Sequence, residues 1–168
     1  MTTISETFKT PFGNLTILAN SLEPATVIGA GFGNPEELIS RVKATRPELE
    51  LSIGKFPNAI SSAVESWLDG NHKAFNTIKV DQIGSNFRQE CWKAMRQVKA
   101  GQTISYSDLA QKTSSAKAVR AAATACAQNL IAPLIPCHRI IKTDGSIGRY
   151  GYGEKLKLQL LTFEGISF

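Results

Sequence analysis

No apolar run in this 168-residue chain approaches the roughly 20 residues needed to cross a bilayer. The opening Met1-Thr-Thr-Ile-Ser-Glu-Thr-Phe-Lys9 lacks the basic-then-apolar pattern of a secretion signal. Both absences predict a soluble, cytoplasmic protein with no membrane partner. Cysteine is scarce: Cys91, Cys126 and Cys137 are an odd set without an export signal, which predicts reduced thiols instead of a disulfide frame. Histidine is scarcer still, at His72 and His138, and with no C-x-x-C or H-x-x-x-H spacing the usual zinc pattern is excluded. Internal repeats and low-complexity tracts are missing too. Gly29-Ala30-Gly31-Phe32-Gly33 has the wrong spacing for a dinucleotide fingerprint and reads as a turn.

What is present is an ordinary globular composition, 42% hydrophobic and 20% charged, with charge divided unevenly. Residues 1–85 hold 7 Lys/Arg against 9 Asp/Glu, whereas residues 86–168 hold 12 against 5. A basic second half fits a polyanionic partner and equally fits an ordinary solvated surface.

The first half reads as α/β. Thr3–Lys9 and Asn14–Ala19 are strand-like runs split by Pro11-Phe12-Gly13, and Ala25–Ala30 is a third candidate strand. Asn34-Pro35-Glu36-Glu37 opens a helix, with a capping amide, a proline that forfeits no bond at the first position, and two acids at the positive helix end. That helix should end near Arg46-Pro47. A second helix is predicted from Asn58 to Asp69, and Phe75–Val80 as a closing strand or extended linker.

The second half changes character near Ser85. Phe87, Cys91, Met95 and Val98 recur at helical spacing. Ser105 and Asp108 fit a capping box for a helix over Tyr106–Lys112. After Thr113-Ser114-Ser115 comes an alanine-rich helix, so the pair fits a helix-turn-helix, or plain packing in a small bundle. A last helix is predicted over Glu154–Phe163. Cys91, Cys126, Trp67 and Trp92 read as core residues, and His72 as exposed.

The segment with chemistry is Leu130-Ile-Ala-Pro-Leu-Ile-Pro136-Cys137-His138-Arg139. The apolar run predicts a buried strand leading to Cys137, and Pro136 restricts the backbone before it. A thiol becomes nucleophilic beside an imidazole and positive charge, which His138 and Arg139 can supply. Adjacent strand residues face opposite ways, so contact with His138 requires a turn or a bridging water. A buried inert cysteine beside a structural histidine fits the same residues.

Pro136-Cys137-His138-Arg139 resembles the active-site signature of the O6-alkylguanine-DNA alkyltransferases. Phe87-Arg-Gln-Glu-Cys-Trp92, Ile104-Ser105-Tyr106-x-x-Leu109-Ala110, Ala118-Val119-Arg120-Ala121 and Leu160-Leu161-x-x-Glu164-Gly165 follow in the family's order and spacing. The likeness covers residues 86–168, and Thr10-Pro11-Phe12-Gly13-x-Leu15 is similar to the family's opening hairpin. It implies a ribonuclease-H-like α/β supporting domain over residues 1–80 and a mostly helical domain with a winged helix-turn-helix over residues 85–168.

The resemblance further implies irreversible, single-turnover transfer of an alkyl group from O6-alkylguanine, and from O4-alkylthymine, to Cys137. His138 would take the thiol proton through a water, and Glu164 would orient His138. Asn129 would be the hinge residue, and Tyr106 would help rotate the nucleotide and protonate the departing guanine. Arg120 would fill the gap in the base stack, with Ser107, Lys117 and Ala121 on the DNA-facing surface. Pro136, Tyr150, Gly151, Tyr152 and Lys157 would bound the pocket, although an exposed helix charge fits Lys157 equally. No cofactor or metal is implied. The partner would be duplex DNA bearing the lesion, met by a monomer in the cytoplasm at the nucleoid, or in a nucleus, with cooperative loading left open.

Departures from the family pattern are Leu130, where proline usually follows the hinge asparagine, and Tyr152, where a small residue is common and a tyrosine is predicted to narrow the pocket. Three rivals remain. A non-catalytic sensor of alkylated DNA would not need Cys137, a thiol hydrolase would turn over, and a transcription regulator would need major-groove readers.

Overall fold

The computed structural model describes residues 2–56 and 59–168. It divides into two compact units, one of residues 1–83 with 130–134, the other of residues 84–129 with 135–168.

The first unit is α/β. β1 (Thr3–Thr10), β2 (Gly13–Asn20) and β3 (Thr26–Phe32) form an antiparallel meander. β4 (Leu51–Ile53) adds parallel to β1 and β5 (Lys79–Val80) parallel to β3, giving the order β4-β1-β2-β3-β5. α1 (Pro35–Thr45) starts as its residues dictate: the Asn34 side chain accepts from Glu36 N at 2.9 Å and Pro35 occupies the first turn. Its buried Leu38 and Val42 pack with Leu18 and Leu130. α2 spans Ala59–Leu68, and Asn58, the predicted start, lies outside the described residues.

Three expectations are corrected in this unit. The glycine-rich segment is not a turn: Gly29 and Gly31 lie within β3, and only Gly33, at φ +88°, leaves the strand. Gly29 is there for proximity, since a Cβ would sit 2.8 Å from Val42 Cγ2 and 3.0 Å from Leu18 Cδ1. Phe75–Val80 supplies only Lys79–Val80 as strand, because successive turns (Asn76 N to Lys73 O, Ile78 N to Phe75 O) use the preceding backbone. β4 is an addition, too short at three residues to show a period in the sequence.

The second unit is mostly helical. α3 (Asn86–Gln97) is capped by Ser85, whose hydroxyl accepts from Arg88 N. β6 (Ile104–Ser105) leads into α4 (Tyr106–Gln111) through the predicted capping box, with Asp108 N donating to Ser105 Oγ at 3.0 Å and Ser105 N to Asp108 Oδ2 at 3.2 Å. α5 (Val119–Ala127) begins later than the run of alanines suggests; Ala118 precedes it without a side-chain cap. Its Ala122 and Ala125 are buried, and Ala125 O accepts from the Trp92 indole at 2.9 Å, which ties α5 to α3. β7 (Ile140–Ile141) pairs parallel with β6, and α6 (Glu154–Phe163) closes the unit over its predicted span.

The apolar run before Cys137 is buried as expected but is not a strand. Residues 130–134 join the first unit through one bridge, Ala30 to Ile131, and a bond from Leu130 N to the Gln82 side chain.

Replacing Gly29 with alanine forces Val42 or Leu18 out of place. Denaturant unfolding of Gly29→Ala is expected to show a loss of about 1–3 kcal/mol, as overpacked cores do.

Candidate active site

Cys137, His138 and Arg139 form a single 3-10 turn. The turn corrects the expected strand and removes the difficulty it posed, since consecutive residues no longer alternate faces. All three are buried. The turn is held by Glu164, the residue that caps the C-terminal end of α6. Glu164 Oε1 lies 2.9 Å from His138 Nε2 and 2.8 Å from Arg139 Nη2, and Arg139 Nε spans both carboxylate oxygens at 3.2 and 3.0 Å. Arg139 Nη1 also donates to Val98 O at 2.7 Å. Arg139 is therefore committed to Glu164 and is not the cation beside the thiol.

Asn129 follows α5 by one turn, its N–H accepted by Cys126 O at 3.2 Å. Its buried amide donates to Ile135 O at 2.8 Å and to Cys137 Sγ at 3.2 Å. One residue thus ties the end of the helix through its backbone N–H, and the approach to the turn and the sulfur through its side chain.

Cys137 lines a cavity of about 400 Å³, within the usual range for small-ligand sites. One wall is a face of α5, with Ala123, Cys126 and Ala127 at helical spacing. Tyr106 lines it as well, as do residues of the loop after β7: Lys142, Arg149, Tyr150 and Gly151.

Lys157 is fully buried, which decides against an exposed helix charge. Its ammonium donates to Ile140 O at 2.6 Å and Arg149 O at 3.1 Å, and stands 6.0 Å from the Tyr106 ring centroid. Neither Lys157, Pro136 nor Tyr152 is among the residues lining the cavity; Tyr152 packs edge-on against Tyr150, ring centroids 5.4 Å apart. Arg120, Ala121 and Lys117 are exposed at and before the start of α5, and Ser107 is half-buried in α4. Cys126 is partly buried on the cavity wall instead of in the core, and His72 is partly buried, not exposed. Lys142 and Arg149 carry no mark in the sequence; their flanking glycines indicate a loop but not which side chains face the cavity.

A family model described as "6-O-methylguanine DNA methyltransferase, DNA binding domain" matches residues 86–166. The methylated-DNA–protein-cysteine methyltransferase of Methanosarcina mazei is 33% identical over 122 residues, covering 73% of this chain and 77% of that protein. The chain belongs to the methylated-DNA–protein-cysteine methyltransferase family. The bifunctional transcriptional activator/DNA repair enzyme Ada of Escherichia coli is 44% identical over 88 residues, 52% of this chain but only 25% of the Ada length. Among solved structures, Mycobacterium tuberculosis OGT in complex with DNA aligns with a TM-score of 0.77 and 25% identity, covering 96% of this chain and 92% of that one.

Within this family framework the protonation states follow from burial and neighbours. Burial pushes the Cys137 thiol above its ordinary value, and the Asn129 N–H and the Lys157 ammonium only partly oppose this. Burial likewise lowers His138, against the pull of Glu164, so the imidazole is neutral near pH 7. Burial alone would raise Glu164, but hydrogen bonds and charge from His138 and Arg139 outweigh it and bring the carboxyl down to about 2. An ionised carboxylate can only accept, so His138 Nε2 carries the proton and Nδ1 the lone pair. That Nδ1 is buried without a protein partner.

Both shifts place stability above the acidic range. Glu164, depressed from 4.5 to about 2, contributes fully above its unfolded value and loses that contribution as pH falls through the folded one. His138, buried neutral, likewise disfavours the fold below 6.5. Acid unfolding of Glu164→Gln is therefore expected to be flatter between about pH 5 and 2 than that of the native chain; superimposable acid titrations of melting temperature would contradict this.

Proposed function

We propose that this chain repairs DNA by moving an alkyl group from O6 of guanine, or O4 of thymine, onto Cys137. The observation that carries the proposal is a thiol on the wall of a base-sized cavity, backed by a neutral imidazole with a free lone pair and an ionised carboxylate. The chemistry balances without a cofactor. The Cys137 proton passes through a water to His138 Nδ1, and Glu164 stabilises the imidazolium. The sulfur lone pair forms the S–C bond as the C–O6 bond breaks, and its electron pair passes to guanine. Tyr106, whose phenol is raised to about 12 mainly by burial, stays protonated at neutral pH and donates toward the departing base. Guanine leaves with the Tyr106 proton, and the His138 imidazolium returns the proton it took from the thiol to the tyrosinate through water, so the net result is a thioether and a guanine that has exchanged its alkyl group for one proton.

Because the resting thiol is neutral, it is a poor nucleophile toward adventitious electrophiles, and reaction awaits a base held in the cavity beside Cys137. A thioether has no good leaving group, so each molecule acts once.

The target atom is inside duplex DNA, so the nucleotide must leave the stack, at a few kcal/mol. Exposed Arg120 and Ala121 at the start of α5 fit a minor-groove approach, with Arg120 filling the gap, and Lys117 and Ser107 flanking. The sheet order and its two parallel edge pairs support a ribonuclease-H-like reading of the first unit, and α4, α5 and the β6–β7 pair support a winged helix-turn-helix in the second. Every proposed reacting residue belongs to the second unit, which supports residues 85–168 as the reacting domain and residues 1–80 as its support. We expect a monomer.

Incubation with O6-methylguanine duplex and intact-mass measurement tests the proposal. A gain of one methyl per chain, mapped to Cys137 and absent in Cys137→Ser, is expected. His138→Gln should slow transfer by roughly 10²–10⁴-fold without changing that end point. Lesion binding with no mass gain would favour a sensor, and repeated turnover a hydrolase.

A further inference from the structure

The charged residues that line the cavity are both cations. Lys142 and Arg149 line it, and no Asp or Glu is among its lining residues. Both are exposed, and among the described residues neither forms an ion pair with a carboxylate. Asp144, the nearest acid along the loop, accepts from Ser146 N at 2.9 Å and Ser146 Oγ at 2.7 Å, and the Lys142 charge reaches its carboxylate without forming an ion pair.

The backbones beneath these two side chains are fixed. Lys142 N donates to Ser146 O, and Lys142 O accepts from Gly145 N, closing a tight turn. The carbonyl of Arg149 is held by the buried Lys157 ammonium, which also holds Ile140 O, so one cation ties both ends of the segment. Two exposed positive side chains are thus presented from an anchored loop at the mouth of an apolar slot.

A neutral alkylated base offers such cations no negative charge to bind. The phosphodiesters flanking the base do. We propose that Lys142 and Arg149 grip the phosphates of the nucleotide that enters the cavity, and so hold it extruded. The inference rests on the functional reading above and adds a binding site to it: a phosphodiester site at the cavity mouth, separate from the surface that carries Arg120.

Removing one cation that neutralises a phosphate lowers the slope of log affinity against log salt by about 0.9 for duplex DNA. The test uses the whole chain and the double variant Lys142→Gln/Arg149→Gln. Second-order rates of methyl transfer are measured from O6-methylguanine duplex and from the free O6-methylguanine base, between about 50 and 200 mM salt. The duplex reaction of the variant is expected to slow at least several-fold, its salt slope to fall by about 1 to 2, and its preference for duplex over free base to fall in proportion. Lys142→Arg should keep the native slope. An unchanged slope, or an equal loss with the free base, would overturn the phosphate site. Failure of the native chain to accept a methyl from either substrate would instead overturn the functional reading.

Discussion

The second unit is organised around one buried negative charge. Glu164 ends α6 with its side chain almost out of solvent, and an unpaired carboxylate there would be strongly destabilising. It is compensated by a bidentate guanidinium and by an imidazole N–H, drawn from consecutive residues of one short turn. Satisfying one carboxylate with two neighbours requires the chain to curl, and a strand would have sent His138 and Arg139 to opposite faces. The 3-10 turn is therefore the geometry that charge compensation demands. Its consequence is chemical, because the bond that stabilises Glu164 also fixes the tautomer of His138 and leaves Nδ1 as the acceptor.

Asn129 does for the sulfur what Glu164 does for the imidazole. Five residues after it belong to the first unit, and the chain returns to the second at Ile135. By donating to Ile135 O, the Asn129 amide closes the base of that excursion, and its second N–H is left for Cys137 Sγ. The position of the thiol is thus set by the end of α5, whose exposed start carries Arg120. Nothing in this arrangement needs the proline that usually follows the hinge asparagine. Here Leu130 is pinned instead by the Gln82 side chain on its N–H and by Ala30 N on its carbonyl.

Helix starts are readable in the sequence because their signals are local. Asn34-Pro35 and Ser105 with Asp108 act over a few neighbouring residues, and both caps form as the chemistry requires. What depends on partners distant in sequence is not readable. Gly29 looks like a turn until Val42 and Leu18 close on it, and β4 exists only because β1 offers an edge. The same division runs through the site. Cys137 and His138 announce themselves as neighbours, but Arg139 reads as a partner of the thiol because its true partner lies 25 residues away. Lys157 reads either way until the carbonyls of Ile140 and Arg149 converge on it. Cys126, shortly before Asn129, looks like one more small core residue of an alanine-rich helix, whereas α5 turns it to the cavity.

The distribution of charge in the second unit fits what the proposed base-binding thiol must avoid. A neutral purine needs an apolar slot, and an ionised residue within it would either bind water or shift its own proton. The cations are accordingly segregated. One, Lys157, is wholly buried and spent on two carbonyls, near enough to Cys137 to favour a developing thiolate yet not to create one at rest. Arg139 is buried against Glu164, whereas Arg120 on α5 and Lys142 and Arg149 at the cavity mouth are exposed, where their counter-charges can be phosphates. A cation moved from the rim into the slot would lower the thiol pKa permanently and expose a thiolate to any electrophile. Under the proposed single transfer, such an alkylation is irreversible loss. Keeping the sulfur neutral until a nucleotide fills the cavity is thus as much a requirement of the fold as reactivity itself.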